Sequence, residues 1–209
     1  MPADRLHLVR HGEVFNPDRV LYGRLPEYRL SAEGRKMARA AAEHVRGLGR
    51  PVASLVASPL QRTRESGEPF QEIFGLMPVI DDRVIEPTNV FEGKRMKRAV
   101  LNPLNWRHLA RPSIPSWGEP YLEIVDRMDA AMREAWGTTA SGDLVIVSHQ
   151  LPIWITHLAV AGEPLSHDPR KRRCALSSVT SFELEGDRWR EVAYAEPAAT
   201  AGAIDVGAV

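Results

Sequence analysis

Cysteine, charge imbalance and long apolar runs are all scarce in this chain, and each shortage removes a class of function. Among 209 residues the single cysteine is Cys174. No intramolecular disulfide can form, and no thiol zinc cluster can be built. Lys and Arg number 27, as do Asp and Glu, so the formal net charge is +0. A balanced chain has no global attraction to nucleic acid or to an anionic membrane surface, and neither is expected as a partner. The basic runs at Lys94-Arg95 and from Arg170 to Arg173 read as solvated faces. No stretch reaches the length of a membrane span. Met1 to Arg5 leads directly into a strand rather than into the apolar core of a signal peptide, so a cytoplasmic location is expected.

What is present is a set of short apolar segments in alternation. Leu6 to Val9 reads as a buried strand, followed by a turn-rich loop through Asn16-Pro17-Asp18 and Tyr22-Gly23-Arg24. Ser31 caps a helix with Met37, Ala41, Val45 and Leu48 at helical spacing, ended by Gly49 and Pro51. Val52 to Ala57 is a second strand. Ser58-Pro59 reads as an N-cap and first-turn proline, opening a helix that includes Arg62. Val79-Ile80, with Val84-Ile85, suggests a third strand. Between 86 and 117 the periodicity fails, in a stretch holding Pro87, Pro103, Trp106, Pro112, Pro115 and Trp117. A substrate loop and a cap of short helices are two compatible readings of this insertion.

Pro120 opens an amphipathic helix with Leu122, Val125, Met128, Met132 and Trp136 on one stripe. Leu144 to Val147 is a continuous apolar strand of the parallel type. Leu151 to Ala161 reads as a helix. Leu176 to Leu184 and Trp189 to Tyr194, joined at Gly186-Asp187, form a terminal hairpin. The alternation predicts an α/β fold: a three-layer α/β/α sandwich, its sheet mostly parallel, with helices on both faces and a C-terminal hairpin. One domain over 1–197 is expected, with 198–209 as a flexible tail.

Chemistry gathers at the strand ends. Arg10-His11 follows the first strand, Arg62 lies in the first turn after the second, and His149 follows the Leu144 to Val147 strand. If those strands run parallel, all of these side chains emerge at one crevice. A phosphoryl group offers acceptor oxygens and negative charge, which the planar fork of arginine matches bidentately. The helix start near Ser58 adds amides facing the same place. A neutral His11 has the character of a nucleophile, and Gly12 lets the backbone pass close to a phosphate. A protonated His149 would stabilise charge on the transferring group. Departure of the alcohol needs a proton donor, and Glu86, directly after Val84-Ile85, is the first candidate. Glu13 and Glu92 are the alternatives.

Leu8-Val9-Arg10-His11-Gly12-Glu13 resembles the defining motif of the histidine phosphatase (phosphoglycerate-mutase-like) superfamily. Ser58-Pro59-Leu60-Gln61-Arg62-Thr63 is similar to its second motif, Arg83-Val84-Ile85-Glu86 to the segment carrying its proton donor, and Val145-Ile146-Val147-Ser148-His149 to its last motif. Leu30-Ser31-Ala32-Glu33-Gly34 matches its first helix start. The resemblance implies phosphorylation of His11 and hydrolysis by water. It implies a pocket of Arg10, Arg62 and His149, and Glu86 as acid and then base. Asn16 resembles a phosphate-contacting asparagine of the family, set closer to His11 than in many mutases. Two departures stand out: Gln150 replaces a frequent glycine, and Pro87 replaces the arginine that follows the proton donor in cofactor-dependent mutases.

The expected activity is therefore hydrolysis of a small phosphomonoester, with no cofactor and no metal. A phosphoglycerate-type mutase, with Lys94, Arg95 and Arg111 around a substrate carboxylate, is the alternative. A non-catalytic phospho-ligand binding protein of the same fold is the third reading. The sequence leaves the oligomeric state open, a homodimer being common for soluble enzymes. Blander roles compete residue by residue: Arg62 as a partner of Glu65 or Glu68, His149 as a cap, and Glu119 as a helix-start carboxylate. His7 reads as structural, and His44, His108, His157 and His167 show no surrounding constellation. Tyr22, Trp106 and Trp117 suit either a substrate mouth or core packing.

Overall fold

The alternation of in-facing residues along each strand sets the layers of the fold. The computed structural model describes residues 3–108 and 117–198. Arg111, Pro112, Pro115 and residues 199–209 lie outside the described residues. The strands are β1 (Arg5–Arg10), β2 (Val52–Ala57), β3 (Val79–Ile80), β4 (Asp143–Ser148), β5 (Val179–Glu185) and β6 (Arg188–Ala195). They form a six-stranded sheet in the order β3-β2-β4-β1-β5-β6. Pairings are parallel from β3 across to β1, and antiparallel from β1 to β5 and β5 to β6. The expected sandwich, with its mostly parallel sheet and terminal hairpin, is what the chain builds.

Helices α1 (Ala32–Gly47) and α2 (Gln61–Phe74) cover one face, burying Ala41, Val45 and Phe70 against Val9, Leu55, Val145 and Val147. Helices α4 (Tyr121–Thr138) and α5 (Gln150–Ala161) cover the other, burying Ile124, Met128, Met132, Trp154 and Ile155 against Leu6, Leu8, Leu144 and Ile146. Odd and even residues of β1 and β4 thus serve opposite layers, each fully buried aliphatic contributing about 1.5–3 kcal/mol. A short helix α3 (Met96–Leu101) and a 3-10 segment at Pro103–His108 lie within the insertion.

Several local expectations are corrected. Helix α2 starts at Gln61, with Leu60 at its N-cap position and no side-chain cap. Ser58 does not cap it, because its hydroxyl is taken by His149 at 2.8 Å. Val84-Ile85 is not strand: Asp82–Val84 forms a 3-10 turn, capped by the Asp81 carboxylate through the Arg83 amide. Val84 is buried there, and its carbonyl accepts from Ser148 Oγ at 2.7 Å. On α4 the buried stripe begins at Tyr121 and Ile124, and Leu122 is 69% exposed. The hairpin begins at Val179 rather than Leu176. Ala198, assigned to the tail, is buried beside Met37 and Leu176. Among the described residues no helix is long and apolar enough to cross a membrane.

Candidate active site

Parallel register carries the motif residues to one edge of the sheet. Arg10 pairs with Ser148 across β1 and β4, the His11 amide donates to the Ser148 carbonyl at 3.1 Å, and the Ser58 amide donates to Val147 at 3.0 Å. His11 and His149 therefore pack edge-on, ring centroids 5.3 Å apart. Arg62, the second residue of α2, lies over the Tyr22 ring at 4.8 Å and donates to the Gly23 carbonyl at 2.7 Å. That position removes the bland reading of Arg62, since Glu65 instead accepts from the Leu30 amide and Gln61. Arg10 donates to the Cys174 carbonyl at 2.6 Å. Arg10, His11, Arg62, Glu86 and His149 are all at most 3% exposed.

The ring nitrogens of His11 have distinct roles. Nδ1 lies 2.8 Å from the Gly12 carbonyl, which can only accept, so Nδ1 holds the proton. Nε2 then carries the lone pair. Burial lowers the imidazole well below its ordinary pKa, and Arg62 and Arg10 lower it further against the opposing Gly12 bond. These effects favour the neutral form. His149 is likewise held neutral by burial, then by Arg62 and His11.

Glu86 lies beside His149, with Oε2 3.5 Å from Nδ1, an ion-pair distance without hydrogen-bond geometry. Burial raises its pKa, against the pull of Arg62, Arg172, Arg10 and Arg127. The two alternatives are structurally committed. Glu13 accepts from Ser31 Oγ at 2.6 Å, and Glu92 accepts from the Arg24 and Asn89 amides. Arg62 Nε, Glu86 Oε1 and His149 Nδ1 are buried with no hydrogen-bond partner. Each such atom costs about 1–3 kcal/mol, and natural proteins tolerate that cost where function requires it.

Gly12 is also required by packing. A Cβ on it would lie 2.3 Å from the Gly34 carbonyl oxygen, and one on Gly34 would lie 2.0 Å from that of Glu13. The two glycines let the loop after β1 press backbone to backbone against the start of α1. The Gly12 amide is also engaged, donating to Ser66 Oγ at 3.1 Å. Asn16 exchanges hydrogen bonds with both backbone groups of Val20. Tyr22 is buried with its ring 6.3 Å from His11, Trp117 packs beside Leu21 and Phe91, and Trp106 is 59% exposed. Lys94 lies over the Phe91 ring and Arg95 holds Asp18.

Three further arginines were not singled out from the sequence. Arg24 donates to the Glu86 carbonyl, and Arg127 is held in a fork by Glu119 at 2.7 and 3.0 Å. Glu119 is therefore a clamp rather than only a helix-start carboxylate. Arg172, from the run read as solvated, is half-buried and donates to His167 and Gln150. No local pattern marks these contacts. Among the described residues no group of three or more His, Cys, Asp or Glu is arranged to hold a metal ion.

Residues 6–197 match the profile of the histidine phosphatase superfamily (branch 1). The chain belongs to that superfamily. Within it, the chain is 45% identical over 203 residues to an uncharacterized protein of Mycobacterium tuberculosis, covering 95% of this chain and 100% of that one. It is 28% identical over 191 residues to the probable phosphoglycerate mutase GpmB of Klebsiella pneumoniae, covering 88% and 87% of the two chains. Its fold is similar to that of mycobacterial glucosyl-3-phosphoglycerate phosphatase solved with inorganic phosphate. That match has a TM-score of 0.75 at 26% identity, covering 94% of this chain and 100% of the other. The superfamily includes phosphatases and mutases.

Proposed function

We propose that this histidine phosphatase superfamily member hydrolyses a small phosphomonoester through a phosphohistidine on His11. The observation that carries the reading is the lone pair of neutral His11 Nε2 set beside two buried guanidiniums, with a protonatable Glu86 beside His149. Arg10 and Arg62 hold the phosphoryl oxygens, with Asn16 as a further contact. His11 Nε2 bonds to phosphorus as the ester P–O bond breaks, and its electron pair leaves on the alcohol oxygen, which takes the Glu86 proton. Water then attacks phosphorus, the N–P pair returns to His11, and the Glu86 carboxylate takes the water proton. The added dianion favours a protonated His149, which stabilises the transferring group.

Hydrolysis is preferred to mutase transfer because Pro87 follows Glu86. Lys94 and Arg95 are also engaged with Phe91 and Asp18. The test is turnover of an aryl phosphate in the presence of a chelator, with acid-labile phosphate trapped on His11. Chelator-sensitive turnover, or equal turnover by His11→Ala, rejects the mechanism. Isomerisation that requires a bisphosphorylated primer would favour the mutase.

A further inference from the structure

Among the described residues no hydrogen bond holds the Glu86 carboxyl: Oε1 has no partner, and Oε2 stands 3.5 Å from His149 Nδ1. Its place is set through the backbone. The chain reaches Glu86 through the 3-10 turn at Asp82–Val84, and three carbonyls of this segment are held by side chains from elsewhere. Arg127 Nη1, on α4, donates to the Arg83 carbonyl at 2.5 Å. Ser148 Oγ, at the end of β4, donates to that of Val84 at 2.7 Å. Arg24 Nε, in the loop after β1, donates to that of Glu86 itself at 2.5 Å.

The two arginines meet on Glu119. Its Oε1 accepts from Arg127 Nε at 2.7 Å, and its Oε2 accepts from Arg127 Nη2 at 3.0 Å and from Arg24 Nη2 at 3.4 Å. The chain leading into Glu119 is pinned beside the proton-donor segment. The Val90 amide donates to the Trp117 carbonyl at 2.8 Å, and Gly118 pairs with Asn89 in an antiparallel bridge. Arg24 is anchored at its backbone as well, its amide donating to Glu92 Oε1 at 3.0 Å. The carbonyl of Gly23, one residue earlier, accepts from Arg62 at 2.7 Å. The dipeptide Gly23-Arg24 thus ties the guanidinium of Arg62 to the backbone of Glu86. Forked, charge-assisted hydrogen bonds fix direction as well as distance.

We propose, resting on the phosphatase reading above, that Arg24, Glu119 and Arg127 are positioning residues: they set the Glu86 carboxyl at the leaving oxygen of a phosphate held by Arg62. They act through the backbone of Glu86 rather than on the substrate. Each arginine spends one N–H on a carbonyl of the proton-donor segment and another on the carboxylate that joins them. Loosening this joint displaces the acid while the nucleophile keeps its place.

The test compares two esters by kcat/KM, which reports phosphorylation of His11 and not the hydrolysis that follows. A nitrophenyl ester releases a stable phenolate that needs no proton, whereas an alkyl ester needs the proton of Glu86. Glu86→Gln sets the scale, losing about 10²- to 10⁴-fold on the alkyl ester and far less on the nitrophenyl ester. Glu119→Gln and Arg24→Met are expected to lose about 10- to 100-fold on the alkyl ester and less than about twofold on the other, as a misplaced acid does. Arg24 is the most exposed of the three, its side chain 34% accessible, so its replacement disturbs packing least. Arg24→Lys keeps the charge, but a single ammonium does not span the carbonyl and the carboxylate, and it should behave as Arg24→Met does. Full alkyl-ester activity in Arg24→Lys overturns the proposal. Equal losses on both esters in Glu119→Gln and Arg24→Met, or no loss on either, overturn it too. Absence of turnover in the wild type, or equal losses on both esters in Glu86→Gln, rejects the phosphatase reading and its proton donor instead. Amide hydrogen exchange then decides the clamp by itself. The Val84 and Ile85 amides, bonded to the Asp81 and Asp82 carbonyls at 3.4 and 3.3 Å, should exchange about tenfold faster in Glu119→Gln and Arg24→Met, the effect of losing a hydrogen bond to a charged group. Unchanged exchange in both variants overturns the clamp.

Discussion

Strand β1 carries a buried histidine near each of its ends, and the two are built by opposite rules. His7 Nε2 donates to Asp143 Oδ2 at 3.2 Å, and Nδ1 shares a hydrogen bond with Ser181 Oγ at 2.8 Å. Asp143 in turn is gripped by the Arg50 fork at 2.8 to 3.0 Å. Every ring nitrogen and carboxylate oxygen in that cluster is matched. Four residues on, His11 packs edge-on against His149, and buried polar atoms of Arg62, Glu86 and His149 have no hydrogen-bond partner. The same residue type is thus used once to close a polar network and once to leave one open. A closed network stabilises; an open one holds groups ready for a ligand at the expense of stability.

The largest way to break this comparison is at His11. Replacing it with Ala is expected to lower kcat by about 10⁴-fold or more, as loss of a nucleophile does, while leaving thermal stability unchanged or raised. Steady-state kinetics with calorimetry checks both halves, and a matching loss of stability would make His11 a structural residue like His7. Next comes Asp143→Ala, which strands His7 and Arg50 and should cost about 3 kcal/mol. For a chain of this size that lowers Tm by roughly 6–12 °C, with kcat per folded molecule retained.

The two clusters also divide the acid response. Burial raises the Asp143 carboxyl, but hydrogen bonds from His7 and Arg50 outweigh it and hold the group below its ordinary value. Its contribution is present above the unfolded carboxylate pKa, about 4, and is lost as pH falls through the lower folded value. His11 and His149, held neutral, take no proton where the unfolded chain does. Their end therefore loses stability from about pH 6.5 downward. Denaturation midpoints against pH should show two separate declines, with Asp143→Asn removing only the lower one.

Much of the open cluster was legible because its residues sit at strand ends and helix starts, where local sequence marks them. Arg10, His11, Arg62 and His149 each follow an apolar run or open the next helix. The parallel register of β1, β2 and β4 then brings them together. Glu86 was readable from its place after Val84-Ile85, although the segment is a 3-10 turn and not a strand. Arg24, Arg127 and Arg172 were not legible, because their significance rests on contacts such as Arg24 with the carbonyl of Glu86, 62 residues away. Ser58 shows how a local rule is overridden. Ser-Pro has the pattern of a helix cap, yet the hydroxyl goes to His149, 91 residues on. The closed cluster was read only as a structural histidine, since nothing near His7 in sequence announces Asp143 or Ser181.

Ligand should narrow the difference between the two ends. Inorganic phosphate at about 100 times its Kd should stabilise the protein by about 2.7 kcal/mol, because it supplies acceptors to the guanidiniums of the open cluster. The rise in Tm should vanish in Arg62→Met and persist in Asp143→Ala. Loss of the phosphate effect in both variants would mean that the anion does not sit where the unmatched atoms are.

The smallest and sharpest test compares two serines, each hydrogen-bonded to a histidine at 2.8 Å and each buried. Ser181→Ala removes a hydroxyl from the closed network, leaves His7 Nδ1 unmatched and should cost about 1 kcal/mol of stability with kinetics unaltered. Ser58→Ala removes the same group from His149, whose other ring nitrogen already lacks a hydrogen-bond partner. Its stability change should be smaller. Its kcat should fall several-fold, because the imidazole loses the contact that sets its orientation toward the transferring group. The two deletions remove the same atom type at the same distance from the same ring type. Equal effects on stability and rate would show that the two ends of β1 are alike in function and differ only in how many hydrogen bonds they complete.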